Sequence, residues 1–345
     1  MGRRHRFAAV AGTALVLLAP ACRSTPSAEV SESESVTPSP VESETEPPIL
    51  APLTGLPIDD DVDLDGPLMA VKVENTSAAR PQAGLGSADV VYEQLVEGGV
   101  TRFLAMYHSR FPEVIGPIRS ARLVDIDLLV PYRPMLVYSG ARGDVTTALV
   151  RTGLIALLPD DGQPVFYRDP QRSKSHDLFT NTQRALERGS TYDEVGTFES
   201  PFVFDAEVPR GGRTATNLEI RMSGFSRTGW EWDDTAQVYR RLQDGDPHEV
   251  VDDEIGAANV VVVLTDIGPG ACCDTAGNPF VATRMTGGGP AVVLRDGKRY
   301  DARWNKDAVS EHLTIETPDG DLFPFAPGRT WILLAPMNGL PDDTE

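Results

Sequence analysis

The fold is decided by three consecutive pieces of sequence: DVVYEQLV (89–96), EGG (97–99) and VTRFLAMYHS (100–109). The outer pieces are rich in the aliphatic and aromatic residues that favour strands, and the glycines between them are typical of a tight turn. We therefore predict a β-hairpin, with one strand on each side of Glu97-Gly98-Gly99.

Strands and helices mix on both sides of this hairpin. LMAVKVEN (68–75) alternates like a strand, and MLVYSG (135–140) predicts another. Three helices are predicted from their caps: one over 121–130 with Ser120 as N-cap, one from Asp144 to Thr152 stopped by Gly153, and one opened by the capping box Thr180-Asn-Thr-Gln183. This half of the chain is predicted to be α/β or α+β.

The second half, from about residue 201, has a different pattern. It contains β-rich runs such as GWEWDDTAQVYRRL, ANVVVVLTDIG, GPAVVLRDGKRYDARW and GRTWILLAP, with Asp-Gly turns at 244–245, 296–297 and 319–320. The roughly 295 residues after position 50 exceed what one core usually holds. We predict an α+β protein, with a mixed α/β N-terminal domain at 51–200 and a mainly antiparallel β C-terminal domain at 201–340.

The first residues, MGRRHRFAAVAGTALVLLAPAC, are typical of an export signal. Basic residues precede an apolar run at 7–18, which is shorter than the roughly 20 residues of a membrane-spanning helix. Residues 1–21 are therefore predicted to be a signal peptide. The ending Leu-Ala-Pro-Ala-Cys22 resembles a bacterial lipobox, which implies a diacylglyceryl anchor on Cys22. Because Ala19 stands where a lipobox usually has Leu, ordinary cleavage and free secretion is the alternative.

Residues 22–50 are rich in Ser, Thr, Pro and Glu, which predicts a disordered tether. The chain has formal net charge −20, and without residues 1–21 it has 28 basic against 51 acidic residues, or −23. This charge argues against nucleic-acid binding and against direct adsorption to anionic lipid. We expect an extracytoplasmic protein that is held at the membrane by its lipid. The number of subunits is left open.

Long stretches resemble the YerB-like lipoproteins, a bacterial family of unknown function. The matching pieces are ARPQAGLGSADVVYEQLVEGGVTRFLAMYHS, IGPIRSARLVDIDLL, YRRLQDGDPHEV, GKRYDARWNKD and APGRTWILLAP, which spread over residues 52–337. The resemblance implies a layered α/β sandwich as the first domain and a β-rich second domain, and it implies no mechanism. The chain departs from the family pattern at Ser175-His176-Asp177, where Pro-His-Asn is typical, and at Tyr138, where a histidine is expected.

IGPIRSARLVD (115–125) places Arg119 and Arg122 on either side of Ser120. At a helix start, two guanidinium groups and free backbone N–H groups suit a phosphate or carboxylate. We expect Arg80 and Arg102 to join them, since both lie in another stretch that resembles the family. The alternative interpretation is that nearby carboxylates neutralise these arginines in local ion pairs.

Asp89, Glu93 and Glu97 have the same parity along the predicted strand, so their side chains point to one face. Three carboxylates there could hold a cation or serve as acid and base in a glycosidase. Because Val91 and Leu95 share that face, solvated carboxylates facing the arginines are the simpler interpretation.

His176, with Glu93 or Glu97, is the best candidate for acid–base catalysis. A Ser-His-Asp hydrolase is disfavoured, because no GxSxG or SxxK motif surrounds Ser120 or Ser139.

DVDLDG (61–66) supplies Asp61, Asp63 and Asp65 in the first half of a calcium-loop pattern, but Lys72 stands where a bidentate Glu is required. We therefore predict no metal and no cofactor. The adjacent Cys272 and Cys273 are either two unused thiols or a strained, reducible disulfide.

We expect an envelope protein that binds an anionic ligand, such as a wall-polymer phosphate or a peptide carboxylate. The predicted cleft is lined by Arg80, Arg102, Arg119, Ser120 and Arg122 with Asp89, Glu93 and Glu97. Two alternatives stay open: a hydrolase of wall glycan or peptide, and a structural partner of another envelope protein recognised through the β-rich domain.

Overall fold

The computed structural model describes residues 48–58, 64–159, 164–192, 198–251, 254–271, 273–274 and 277–341. The predicted signal peptide, most of the predicted tether with Cys22, and the aspartates at 61 and 63 lie outside these residues.

The predicted hairpin is confirmed and lies within the largest sheet. Strand β2 (Val90–Leu95) and strand β3 (Thr101–Tyr107) are antiparallel neighbours, joined by a single helical turn at Glu97–Gly99. Gly98 and Gly99 have φ angles of +76° and +75°, a left-handed conformation that glycine adopts without strain. The two glycines therefore allow the chain to reverse here.

Strands are numbered β1 to β23 along the described chain. The large sheet runs in the order β10 (Arg213–Thr214), β20 (Lys298–Lys306), β19 (Gly287–Arg295), β16 (Asn259–Thr265), β23 (Thr330–Pro336), β2, β3, β1 (Met69–Glu74), β5 (Met135–Val137) and β6 (Ala156–Leu157), with β21 (Thr314–Glu316) paired to β20. The predicted strands at 68–75 and 135–140 are thus both present.

A smaller sheet is antiparallel and comes from the second half of the chain. It consists of β11 (Asn217–Arg221), β12 (Arg227–Asp233), β13 (Val238–Gln243) and β14 (Asp246–Pro247), with β15 (Gly256–Ala257) beside β13. Short sheets are formed by β4 (Val114–Ile115), β8 (Leu178–Asn181) and β7 (Phe166–Arg168), by β17 (Ile267–Pro269) and β18 (Val281–Thr283), and by β9 (Val203–Phe204) and β22 (Pro324–Phe325). The predicted α+β class is confirmed.

Strand β23 joins the two halves of the chain edge to edge. It pairs in parallel with β16 on one side and with β2 on the other, so that Thr330 lies opposite both Asn259 and Val90. Both faces of the large sheet are buried: Tyr92 packs into one apolar core, and Val91 and its neighbours pack into a second core on the opposite face. Any charged side chain on a central strand must therefore find a partner inside the protein.

The helices are α1 (Leu123–Leu129), α2 (Gly143–Thr152) and α3 (Thr182–Gly189). Helix α2 ends as predicted, with Gly153 at φ +70°. The prediction for α3 was wrong in its cap, because the side chain of Asn181 accepts the Arg184 N–H at 3.1 Å. No described helix is long and apolar enough to cross a bilayer.

The predicted start of α1 was wrong as well. The helix begins at Leu123, and the carboxylate of Asp125 accepts the backbone N–H of Arg122 at 2.6 Å. Arg122 is thus the N-cap, and Ser120 lies two residues before it, outside the helix. Because α1 begins only at Leu123, neither Arg119 nor Arg122 lies on its first turn.

Candidate functional site

The arginine stretch lies across one edge of the large sheet. Strands β1 and β5 are parallel neighbours, so their carboxyl ends meet at this edge, where α/β sheets commonly bind ligands. Arg119 N–H donates to the Lys72 carbonyl at 2.8 Å, Ser139 N–H donates to the Arg119 carbonyl at 3.0 Å, and Ala121 N–H donates to the Gly140 carbonyl at 3.0 Å. Backbone hydrogen bonds therefore fix residues 119–121 over the strand ends.

Three arginines, which we call the arginine cluster, meet there: Arg102, Arg119 and Arg122. Nη1 of Arg102 and Nη1 of Arg122 both donate to the carbonyl of Ser120, at 3.1 and 3.2 Å. Two guanidinium groups are therefore within hydrogen-bond reach of a single oxygen. Like charges this close repel one another unless an anion compensates them.

Arg122 has a carboxylate partner. Its Nε donates to Oε1 and Oε2 of Glu97 at 2.8 and 3.0 Å, and its Nη2 forms an ion pair with the same carboxylate. Burial acts to raise the pKa of Glu97, but the hydrogen bonds and charge of Arg122 outweigh it and hold that pKa below its ordinary value. The charge of Arg122 is thus already paired.

Arg119 shares a carboxylate with a histidine. Nε of Arg119 lies 3.2 Å from Oε1 of the buried Glu74, and Nδ1 of His176 lies 2.9 Å from Oε2. A carboxylate at this position accepts the Nδ1–H, so in the neutral ring the lone pair is on Nε2. The His176 side chain is 21% exposed. One buried carboxylate thus holds an arginine and a histidine side by side.

Arg102 is half-buried and has no carboxylate partner among the described residues. No carboxylate oxygen in that part of the chain lies within ion-pair distance of its guanidinium, although Glu74 is opposite it on β1. Burial, together with the charges of Arg122 and Arg119, lowers the pKa of Arg102 to about 9, although the charges of Glu97 and Glu74 act in the opposite direction. At neutral pH it is still a cation, and it is the excess positive charge of the cluster.

A fully buried ion pair lies next to the cluster in the protein interior. Nζ of Lys72 lies 2.8 Å from Oδ1 of Asp125, and both side chains are fully buried. Burial outweighs the attraction of Asp125 and lowers the pKa of Lys72 to about 8. Since Asp125 also accepts the Arg122 N–H, this pair holds the start of α1 against the sheet.

A cavity of about 400 Å³ adjoins the cluster. Its lining includes the paired side chains of Arg122 and Glu97, the neighbouring Ser120, and apolar side chains that include Leu123, Val145 and Phe280.

Glu93, a predicted cleft residue, lies in the protein interior instead. Its Oε1 accepts from Thr101 Oγ1 at 2.9 Å, from Thr228 Oγ1 at 2.8 Å and from Arg241 Nη2 at 2.8 Å. Its Oε2 accepts from Trp331 Nε1 at 3.2 Å and again from Arg241. Glu93 and Arg241 are both fully buried, so this pair ties β13 of the small sheet to β2 of the large sheet.

His248 completes this buried network, which consists of Glu93, Arg241, His248 and Gln82. Arg241 Nη1 donates to His248 Nδ1, and His248 Nε2 donates to Gln82 Oε1 at 2.8 Å. Burial, with the charges of Arg241 and Arg80, lowers the pKa of His248 to about 2, so the ring is neutral. Arg80 therefore lies near this network.

Asp89 is also separate from the arginine cluster. Its Oδ2 accepts the backbone N–H groups of His108 and Ser109 at 2.6 and 2.9 Å, and Ser109 Oγ donates to its Oδ1. The prediction of three carboxylates on one face was wrong, because β2 covers only Val90–Leu95. Asp89 precedes the strand and Glu97 lies in the turn after it.

Comparison with known proteins agrees with this architecture. Residues 53–194 match the model described as "Protein of unknown function (DUF3048) N-terminal domain", and residues 218–332 match the corresponding C-terminal domain. The chain belongs to the DUF3048 family. It is 28% identical over 296 residues to "Putative lipoprotein YerB" of Bacillus subtilis (strain 168), covering 83% of this chain and 86% of that one. The crystal structure of YerB from Bacillus subtilis matches with a TM-score of 0.71 at 25% identity, over 83% of this chain and 96% of that chain.

No group of three or more possible metal ligands is found among the described residues of this DUF3048 chain. Of the predicted calcium-loop aspartates only Asp65 is described. Cys273 is disulfide-bonded, and Cys272 lies outside the described residues.

Sequence reasoning missed three residues of the site in this DUF3048 chain: Glu74, Arg142 and Phe280. Glu74 had a signal, since a charged residue inside the apolar strand MAVKVE must have a partner. Phe280 lies far from the cluster in sequence, and no local pattern brings it to the cavity.

Proposed function

We propose that this protein binds an anionic ligand through the arginine cluster. The observation that carries the proposal is Arg102, a half-buried cation that has no carboxylate partner among the described residues and lies next to two further arginines. A charge that is partly removed from water is costly unless it is paired. A phosphate or carboxylate that accepts from Arg102 and Arg119 would supply the missing charge, and guanidinium groups suit both anions.

The proposed ligand belongs to the cell envelope. The Bacillus subtilis relative of this protein is named "Putative lipoprotein YerB". We propose that in this chain Cys22 carries the lipid and holds the binding domain outside the membrane. A phosphate of a wall polymer or the carboxylate of a wall peptide fits such a position. Replacing Cys22 by Ser should release the protein from membranes, and unchanged partitioning would refute the lipid anchor.

The binding proposal is tested by calorimetry on the full chain with inorganic phosphate and with acetate, at fixed pH and ionic strength. Arg102→Met should weaken binding by about tenfold to a hundredfold, because hydrogen bonds to a charged group are lost. Arg227→Met is the matched control, since Arg227 is an exposed arginine on the small sheet with Glu219 as its partner at 3.0 Å.

Binding that is equal in the parent and in Arg102→Met would reject the arginine cluster as the site. An equal loss in Arg227→Met would show that the effect is one of general charge.

A second candidate function, hydrolysis of wall glycan or peptide, is favoured by the pair of His176 and Glu74. A histidine whose Nδ1–H is held by a carboxylate is oriented to accept a proton at Nε2, as a general base does. Purified wall fragments should then be cleaved by the parent, and His176→Asn should abolish the cleavage. Absence of product with the parent, or equal product with the variant, would exclude hydrolysis.

A further inference from the structure

The cavity beside the arginine cluster is larger than an anion alone requires. Its volume is about 400 Å³, within the roughly 300–1,000 Å³ of sites that bind small organic molecules. We propose that the ligand of the cluster is an organic anion whose apolar substituent occupies this cavity. This inference rests on the proposed anion binding and adds the chemical class of the ligand.

Apolar side chains line the cavity together with the Arg122–Glu97 ion pair. Leu123 is the first residue of α1 and is 47% exposed, whereas the other apolar side chains of this helix are buried. Val145 of α2 and Val281 of β18 also line the cavity. A large aliphatic side chain exposed in a concave wall favours contact with an apolar group of a ligand.

Phe280 also lines the cavity, and Arg142 contacts its ring. The guanidinium carbon of Arg142 lies 3.8 Å from the centre of the Phe280 ring, a cation–π contact. Asp144 forms an ion pair with Arg142 and so compensates its charge. Arg142 therefore positions an aromatic ring, while the uncompensated charge remains at Arg102.

The lining of the cavity suits one orientation of the ligand. Arg122 belongs to the arginine cluster, and Ser120 provides the carbonyl to which Arg102 donates, whereas Phe280 and Val281 are apolar lining residues. A phosphate or carboxylate with a substituent about the size of a phenyl ring would place its charge at the cluster and its carbon atoms against these apolar side chains.

A larger cavity of about 650 Å³ lies against the small sheet, and it does not have this division. Arg240, which lines it, is already paired with Asp233 at 3.2 Å and with Glu254. Four carboxylates line this cavity against two arginines, so its lining favours no anion; they are Glu231, Asp233, Glu249 and Glu254 against Arg240 and Arg241.

Calorimetry on the full chain tests the inference with two pairs of probes: phenyl phosphate against inorganic phosphate, and phenylacetate against acetate. In at least one pair the phenyl compound should bind the parent about tenfold more tightly, and that pair identifies the anionic group. Phe280→Ser should remove most of this preference while binding of the small anion stays unchanged. Tyr167→Ser, at a 44% exposed aromatic residue on β7, should leave both affinities unchanged.

Equal affinity for the phenyl compound and the small anion in both pairs would overturn the inference and leave the anion site intact. So would a preference that survives both Phe280→Ser and Leu123→Ser; the second variant changes an exposed side chain and guards against misfolding of the first. If the parent binds none of the four probes, the anion site fails, and the inference fails with it.

Discussion

Two regions of this molecule are built from the same residue types and use them differently. In the buried network, Glu93 and Arg241 are fully enclosed, and Glu93 accepts hydrogen bonds from four different residues. In the arginine cluster, Arg119 and Arg122 each have one carboxylate, whereas Arg102 has, among the described residues, only the carbonyl of Ser120 as a hydrogen-bond partner. The first region satisfies its charges internally, whereas the second leaves a positive charge uncompensated.

This difference separates a structural role from a ligand-binding role. Charges that serve the fold must be paired, because an unpaired buried charge destabilises it. A site that binds an anion must keep positive charge available before the ligand arrives. Experiments can therefore test whether Glu93 serves the fold and Arg102 serves a ligand.

The largest expected effect is on the stability of the buried network. Glu93→Gln removes the negative charge that compensates Arg241 and should lower the free energy of unfolding by about 3–5 kcal/mol. Urea denaturation followed by tryptophan fluorescence measures this change.

The double variant Glu93→Leu/Arg241→Met is the control for that experiment, since removing both charges leaves no unpaired ion. It should recover most of the lost stability. If the double variant is as unstable as Glu93→Gln, the ion pair is not the cause.

The next effect is a pH dependence of stability that comes from Lys72. Its pKa is about 8 in the folded protein, below the ordinary 10.5, so between these values the unfolded chain binds the proton and the folded chain does not. The free energy of unfolding should therefore rise with pH in that window, by up to about 3 kcal/mol. Lys72→Met should lack this rise.

Denaturation at pH 8 and pH 9.5 suffices for the comparison, because buried tyrosines such as Tyr92, whose pKa is raised to about 12, act in the opposite direction above pH 10. Identical slopes in the parent and in Lys72→Met would show that Lys72 does not contribute.

The smallest effect concerns the carboxylate that pairs with Arg122. Glu97→Gln should cost about 1 kcal/mol of stability or less at neutral pH, since the pair is partly exposed. Because the folded pKa of Glu97 is below 4.5, its contribution is present above pH 4.5 and is lost as pH falls through the folded value.

The same substitution should tighten phosphate binding a few-fold, since Arg122 becomes available to the ligand. Weaker binding in Glu97→Gln would mean that Glu97 holds Arg122 in the orientation that binds, and not that it competes with the ligand.

The sequence predicted the local elements of the fold well and the distant contacts poorly. The hairpin at 89–109 was predictable, because strand and turn signals lie next to each other in the chain. The pairing of β23 with both β2 and β16 was not, since WILLAP (331–336) is apolar throughout and any buried strand position would suit it. The predicted start of α1 also failed, because its N-cap is Arg122, whose backbone N–H donates to Asp125, and not the serine that the local pattern favours.

In the candidate site, too, local features were predictable from the sequence and contacts between distant residues were not. The stretch 119–122 was predictable as one unit, because Arg119, Ser120 and Arg122 all lie within these four positions. The expectation that Arg102 lies beside them agrees with its hydrogen bond to the Ser120 carbonyl. Glu93 was wrongly placed in the cleft, since only the three-dimensional arrangement shows that β13 brings Arg241 against it. The pairing of His176 with Glu74 depends on a contact between residues 102 positions apart.

One measurement tests most directly the claim that Arg102 serves a ligand and not the fold. The free energy of unfolding of the parent and of Arg102→Met is measured with and without phosphate at about 100 times its dissociation constant. We expect the variant without phosphate to be as stable as the parent, or up to about 1 kcal/mol more stable, because a half-buried charge without a carboxylate partner is removed. Phosphate at this concentration should stabilise the parent by about 2.7 kcal/mol and the variant by only about 0.4 to 1.4 kcal/mol, because the variant binds it about tenfold to a hundredfold more weakly. A variant that is about 2 kcal/mol or more less stable than the parent, and that phosphate stabilises equally, would contradict the account.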